Sequence, residues 1–124
     1  MIVFIITQIH TYQIILYLLY MYEFQQISSA ELMQQLAQRL QKRRLEKGLS
    51  RQALSELSGV PAPTIARFEQ HYAISMRQYL DLALSMGYAD QMQDLMNEAK
   101  YKTMDELETI RNNQHRKRGS KSER

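Results

Sequence analysis

The sequence predicts an all-α protein, and three observations carry that prediction. Helix-forming residues dominate, with only two prolines and four glycines among 124 residues. Apolar residues recur at intervals of three and four along most of the chain. The periodic runs open on serine or threonine and close on glycine, the residues that start and stop helices. The length suits one domain with appendages. A formal net charge of +3 and a pI of about 9.2 are compatible with a polyanionic partner. The chain has no cysteine, which excludes a disulfide scaffold and a thiolate metal site and suits a reducing compartment.

The first segment, residues 1–22, contains no Asp, Glu, Lys or Arg. It is rich in Ile, Leu and Tyr, interrupted by Thr7, Gln8, His10, Thr11 and Gln13. Three readings fit it. Translation could start at Met21, leaving the segment out. It could be a membrane anchor, since its length is close to the roughly 20 residues that span a bilayer. It could be a strand or helix used in packing or association. A secretory signal is disfavoured by the missing basic start and small-residue cleavage site. Membrane association is the weaker expectation of the three.

Residues 23–30 are polar, and Ser28 with Glu31 offers a cap. A long amphipathic helix is expected from there to about Lys47. Leu32, Met33, Leu36, Ala37 and Leu40 form its apolar stripe, and Arg39, Lys42 and Arg43 its charged face. Ser50 then caps a short helix whose buried face is expected to comprise Leu49, Ala53, Leu54 and Leu57. Gly59 lies where the chain must reverse, and glycine accepts positive φ there. Pro61 and Pro63 suit only the first turn of a helix, where amides have no intrahelical partner. In that next helix Ile65 and Phe68 face inward, leaving Ala62, Pro63, Ala66 and Arg67 outside. Two short helices joined by a tight turn, the second with an outward arginine, are the arrangement of a DNA-reading helix-turn-helix.

Ser75 caps a further helix to about Met86, with Tyr79, Leu80, Ala83 and Leu84 expected inside and Gly87 as its stop. A fifth helix is expected from about Asp90 to Lys100, with Met92, Leu95, Met96 and Ala99 on one face. Methionine adapts in packing, so this face suits a core, a dimer or a partner. Thr103 and Glu106 mark a last helix to about Asn113. The division is therefore an apolar segment 1–22, a helix-turn-helix domain 23–87, a helical dimerisation or partner region 88–115, and a basic tail 116–124. The tail has nothing to bury and is expected to be disordered, adding sequence-independent attraction to phosphates.

Residues 35–87 resemble the Cro/C1-type (XRE) helix-turn-helix family. The shared signature is Arg44-x-x-x-Gly48-Leu49-Ser50-Arg51-x-x-Leu54-Ser55-x-x-Ser58-Gly59-Val60-Pro61-x-x-Thr64-Ile65-x-x-Phe68-Glu69. The family usually has glutamine where Arg51 stands, serine where Pro61 stands, and glycine near Gln70-His71-Tyr72. The resemblance implies a five-helix domain, and a salt bridge between Arg44 and Glu69 that ties the first helix to the recognition helix. It implies DNA contacts by Arg51 and Gln52 at the start of the second helix. It implies base-facing positions at Ala62, Pro63 and Arg67, and a DNA contact by Thr64. Gln70, His71 and Arg77 match positions that touch the DNA backbone. Arg67 is the strongest candidate, because guanidinium binds guanine bidentately.

No catalytic constellation is present. His10, His71 and His115 lack metal-ligand spacing, and no glycine loop cradles phosphate. An enzyme, a metal site and a cofactor are not expected.

A finer resemblance lies outside the motif. Residues 21–32 are similar to the start of HipB-type antitoxins, small helix-turn-helix proteins encoded beside a HipA-type kinase toxin. Residues 101–108 and Arg116-Lys117-Arg118 are similar to relatives found beside such kinases. This implies a cytoplasmic, nucleoid-associated homodimer on palindromic operator DNA, repressing its own operon and binding a HipA-like kinase or split-kinase subunits. A stand-alone or phage-like repressor and a membrane-tethered regulator are the alternatives.

Overall fold

The computed structural model describes residues 1–24 and 27–119. Among them every regular element is a helix: α1 (Ile2–Phe24), α2 (Ser29–Glu46), α3 (Arg51–Ser58), α4 (Ala62–His71), α5 (Met76–Ser85), α6 (Ala89–Asp94) and α7 (Met104–Asn113). The chain divides into two units, Met1–Gly87 and Tyr88–Arg124.

In the first unit α2 starts on a complete capping box. The Ser28 hydroxyl accepts from the Glu31 amide at 3.2 Å, and the Glu31 carboxylate accepts from the Ser28 amide at 2.9 Å. The Ser28 backbone N–H, and then its hydroxyl, hold the Glu31 carboxyl below its ordinary pKa. The cap's contribution is therefore present above the ordinary carboxylate range and fades as pH falls through the lowered value. Ser50 and Ser75 cap α3 and α5 more simply, each hydroxyl accepting from one amide, that of Ala53 and that of Gln78. Gly59 closes α3 in the left-handed region, at φ 75°, where a side chain would be strained.

Three turns of α2 supply Ala37, Leu40 and Arg44 to the interior. Leu54, Val60, Ile65, Phe68, Leu82, Ala83 and Met86 complete the core. Helix α4 packs on α2 and α3, and α3 on α5. Phe68 meets Tyr79 edge-to-face, with centroids 5.8 Å apart and planes at 73°. Lys47 Nζ donates to the Met86 carbonyl at 3.1 Å, tying the end of α2 to the carbonyls that close α5.

Several inward assignments are corrected. Leu57 is 63% exposed, because the eight-residue α3 presents only Leu54 fully to the core. In α5 the buried face is rotated from the expected one. Leu82 and Met86 are buried with Ala83, Leu84 is exposed, and Tyr79 and Leu80 are half-buried. Leu32 is likewise exposed, a turn before the stripe meets the core. The strand reading of residues 1–22 gives way to a helix, in which those residues are exposed.

In the second unit the helix expected over 90–100 stops at Asp94. Leu95 turns extended and Met96 takes φ 58°, so Met92, Leu95, Met96 and Ala99 share no helical face. Helix α6 buries no residue and has no side-chain cap, so nothing offsets the cost of extending it. Helix α7 does have its cap, Thr103 accepting from the Glu106 amide at 3.2 Å. Residues 116–119 carry no helix or strand, and the rest of the expected tail, 120–124, lies outside the described residues.

The contrast between Leu54 and Leu57 is testable. Leu54→Ala should cost about 2–5 kcal/mol of unfolding free energy, and Leu57→Ala within about 0.5 kcal/mol. Urea unfolding of the two variants checks it, and equal losses would contradict the packing.

Candidate nucleic-acid interface

Helix α4, the second of the two helices joined by the tight turn, begins at an unusual terminus. Pro61 is its N-cap with no side-chain hydrogen bond, and Pro63 occupies the first turn. The Pro61 carbonyl accepts from the Thr64 amide at 2.9 Å and the Ile65 amide at 3.2 Å. Pro63 has no N–H, so this helix start offers fewer free amide donors to an anion than an ordinary one. Side chains must therefore carry more of any contact made there.

The inward side of α4 carries Ile65, Phe68 and Glu69. Pro63, Arg67 and Gln70 are exposed, and Ala62, Thr64 and Ala66 are half-buried. Arg67 has no hydrogen-bond or ion-pair partner among the described residues, so its planar fork of donors is available. Thr64 and Arg67 share a shallow groove with Ala73, Ile74, Ser75 and Gln78 at the start of α5. Exposed Arg77 lies in that first turn of α5, and exposed His71 in the last turn of α4. Gln52, exposed on α3, makes only a long 3.4 Å contact to Glu56.

What orients α4 is the Glu69 carboxylate, 1% exposed at its side chain. Arg44 donates to it twice, Nε to Oε1 at 2.7 Å and Nη2 to Oε2 at 3.1 Å. The same guanidinium donates Nη1 to the Leu49 carbonyl at 2.8 Å. Arg51 adds a third contact, Nε to Oε2 at 2.8 Å. One carboxylate thus joins α2, the first residue of α3, and α4. Buried charges survive because each is met by an opposite charge and a hydrogen bond.

The Arg51 contact to Glu69 leaves no mark in the sequence pattern. Residues 51 and 69 are far apart in sequence, and arginine at a helix start reads most simply as a phosphate contact. Its side chain remains 35% exposed, but its Nε edge is committed to Glu69. An Arg44 truncation therefore would not leave Glu69 without a partner, as a single pair would imply.

Helix α4 ends on Tyr72 at φ 62° and ψ 24°, its amide donating to the Phe68 carbonyl at 2.8 Å. A residue with a side chain pays roughly 1–2 kcal/mol for this left-handed conformation.

Residues 40–88 match the family model described as helix-turn-helix. The matched stretch runs from the second half of α2 through α5 and contains the whole Glu69 network. No curated protein and no solved structure matches the chain. Residues 40–88 are thus similar to helix-turn-helix domains, and their helices have that arrangement.

The network ranks three substitutions. Glu69→Ala leaves two guanidinium groups facing one another, one of them buried, and should cost about 3–5 kcal/mol. Arg44→Ala should cost less, because Arg51 still reaches Glu69. Arg51→Ala should cost least, since its pair is partly solvated. Thermal melts that fail to follow this order would overturn the shared-acceptor account.

Proposed function

We propose that this chain is a sequence-specific DNA-binding repressor that acts as a homodimer on palindromic DNA in its own promoter. The observation that carries the reading is Arg67, exposed and unpartnered on a recognition helix whose orientation is held from behind by Glu69. Arg67 reads a base edge, with guanine the best fit to its bidentate donors. Ala62, Pro63 and Thr64 line the same approach, where the alanine and proline offer only apolar contact. Gln52, Gln70, His71 and Arg77 contact backbone or adjoining bases. Arg51 serves chiefly to position α4, with its exposed part left for phosphate. Two-fold symmetry then sets half-sites about one helical turn apart.

The finer reading is a toxin–antitoxin component that binds a HipA-like kinase or its split subunits. It is supported by the similarity of residues 21–32, 101–108 and 116–118 to proteins of such operons. The second unit, with its exposed Leu95, Met96, Tyr101 and Met104, supplies apolar side chains for that partner or for the dimer. Co-purification of the tagged chain with its native operon neighbours tests this. A kinase-like neighbour in the eluate supports the toxin partnership, and a chain that purifies alone with operator DNA leaves a stand-alone repressor.

Arg67→Ala should weaken binding to the chain's own upstream DNA by about 1–3 kcal/mol while barely changing non-specific binding. Arg77→Ala should lower both alike and reduce the salt slope by about 1. Titrations at several salt concentrations separate the two, and an Arg67 variant with unaltered preference would refute the base-reading role.

A further inference from the structure

Helix α1 is apolar and exposed on every side. Residues 1–22 are all exposed, among them Ile2, Val3, Ile5, Ile6, Ile15 and Leu18. At 3.6 residues per turn these side chains point around the whole circumference. Of the polar ones, Thr7, His10 and Thr11 share one side with Gln8 and Gln13 flanking it, but Val3, Ile14 and Leu18 stand on that same side, so no polar stripe runs the length of the helix. A groove on a partner, or a second copy of α1 in water, would cover one face and leave the others wet. Only an apolar solvent covers all of them.

Length and backbone chemistry agree with that solvent being lipid. Ile2–Tyr22 is 21 residues, about 31 Å of helix at roughly 1.5 Å per residue, against a hydrocarbon core of about 30 Å. It carries no Asp, Glu, Lys or Arg. The Thr7 and Thr11 hydroxyls donate to the carbonyls of Val3 and Thr7 at 2.7 and 2.9 Å, so both are satisfied within the helix where no water would be available. Tyr17, Tyr20 and Tyr22 gather toward the end of the span, where tyrosine favours the headgroup region. Arg39, Lys42 and Arg43 then follow on the C-terminal side, the kind of flank that stays in the cytoplasm.

We propose that α1 crosses a lipid bilayer and holds the helix-turn-helix domain at its cytoplasmic face. The inference rests on α1 alone and goes beyond the DNA-binding reading. Ser28, the cap of α2, is only four residues beyond Phe24. The DNA-binding domain is thereby held within about 15 Å of chain from the end of α1.

The test is flotation of the full chain, tagged at its C-terminus, on a density gradient after alkaline carbonate extraction. The wild-type chain should float with membranes and leave them only in detergent. Ile9→Arg combined with Leu16→Arg places two charges in the span and should cut the floating fraction about tenfold or more. Tyr22→Arg, at the boundary, should float like the wild type. A wild-type chain that stays in the soluble fraction, sediments as lipid-free aggregate, or has the mass of a chain beginning at Met21 overturns the proposal. Equal flotation of the double-arginine variant overturns it too. DNA binding by the detergent-solubilised protein is read separately. A chain that floats but binds no DNA sinks the regulator reading and leaves the anchor standing.

Discussion

The carboxylate of Glu69 is the constraint on which the helix-turn-helix depends. It lies on the hidden side of α4, and three nitrogens from two arginines converge on it. Arg44 comes from α2 and also holds the Leu49 carbonyl, which fixes the turn between α2 and α3. Arg51 comes from the first residue of α3. Hydrophobic burial of Phe68, Ile65 and Leu54 brings these helices together without specifying angles closely. A planar, bidentate guanidinium–carboxylate contact is directional, and it fixes the azimuth of α4. Since Glu69 follows Arg67 by two positions, fixing one side chain inward fixes the other outward.

The sequence revealed best what local chemistry decides. Serine caps at residues 28, 50 and 75, the stop at Gly59, and the inward Ile65 and Phe68 all follow from spacing within one or two turns. The resemblance pointed to Arg44 and Glu69 as partners, and the structure contains that contact. Tertiary geometry was less legible. Leu57 has the right spacing for a core residue, yet α3 is too short to bury a second leucine. In α5 the apolar residues are so dense that the pattern allows more than one face, and packing against α3 selects Leu82, Ala83 and Met86. The Arg51 contact spans eighteen residues, and no periodicity encodes it. In the second unit a methionine-rich pattern suggested a long helix, and the backbone leaves the helical region at Leu95 instead.

The interface combines a rigid interior with an adaptable surface. The proline-started α4 gives up amide donors, and the left-handed Tyr72 ends the helix at a cost in strain. Both features bracket the side chains proposed to meet DNA, so specificity falls on a few side chains and little on the helix start. Binding then has two parts with different physics. On the proposed reading Arg67 supplies a geometric contact that discriminates bases, and Arg77 supplies attraction that salt weakens.

The most direct measurement of the central claim is selection of bound duplexes from a randomised pool by the intact chain, followed by sequencing. A recognition helix held as described predicts a symmetric consensus of two half-sites about one helical turn apart, with a strongly specified base pair, guanine-bearing, at the position facing Arg67. A pool that emerges without enrichment, bound only through salt-sensitive contacts, would contradict the claim that α4 reads sequence.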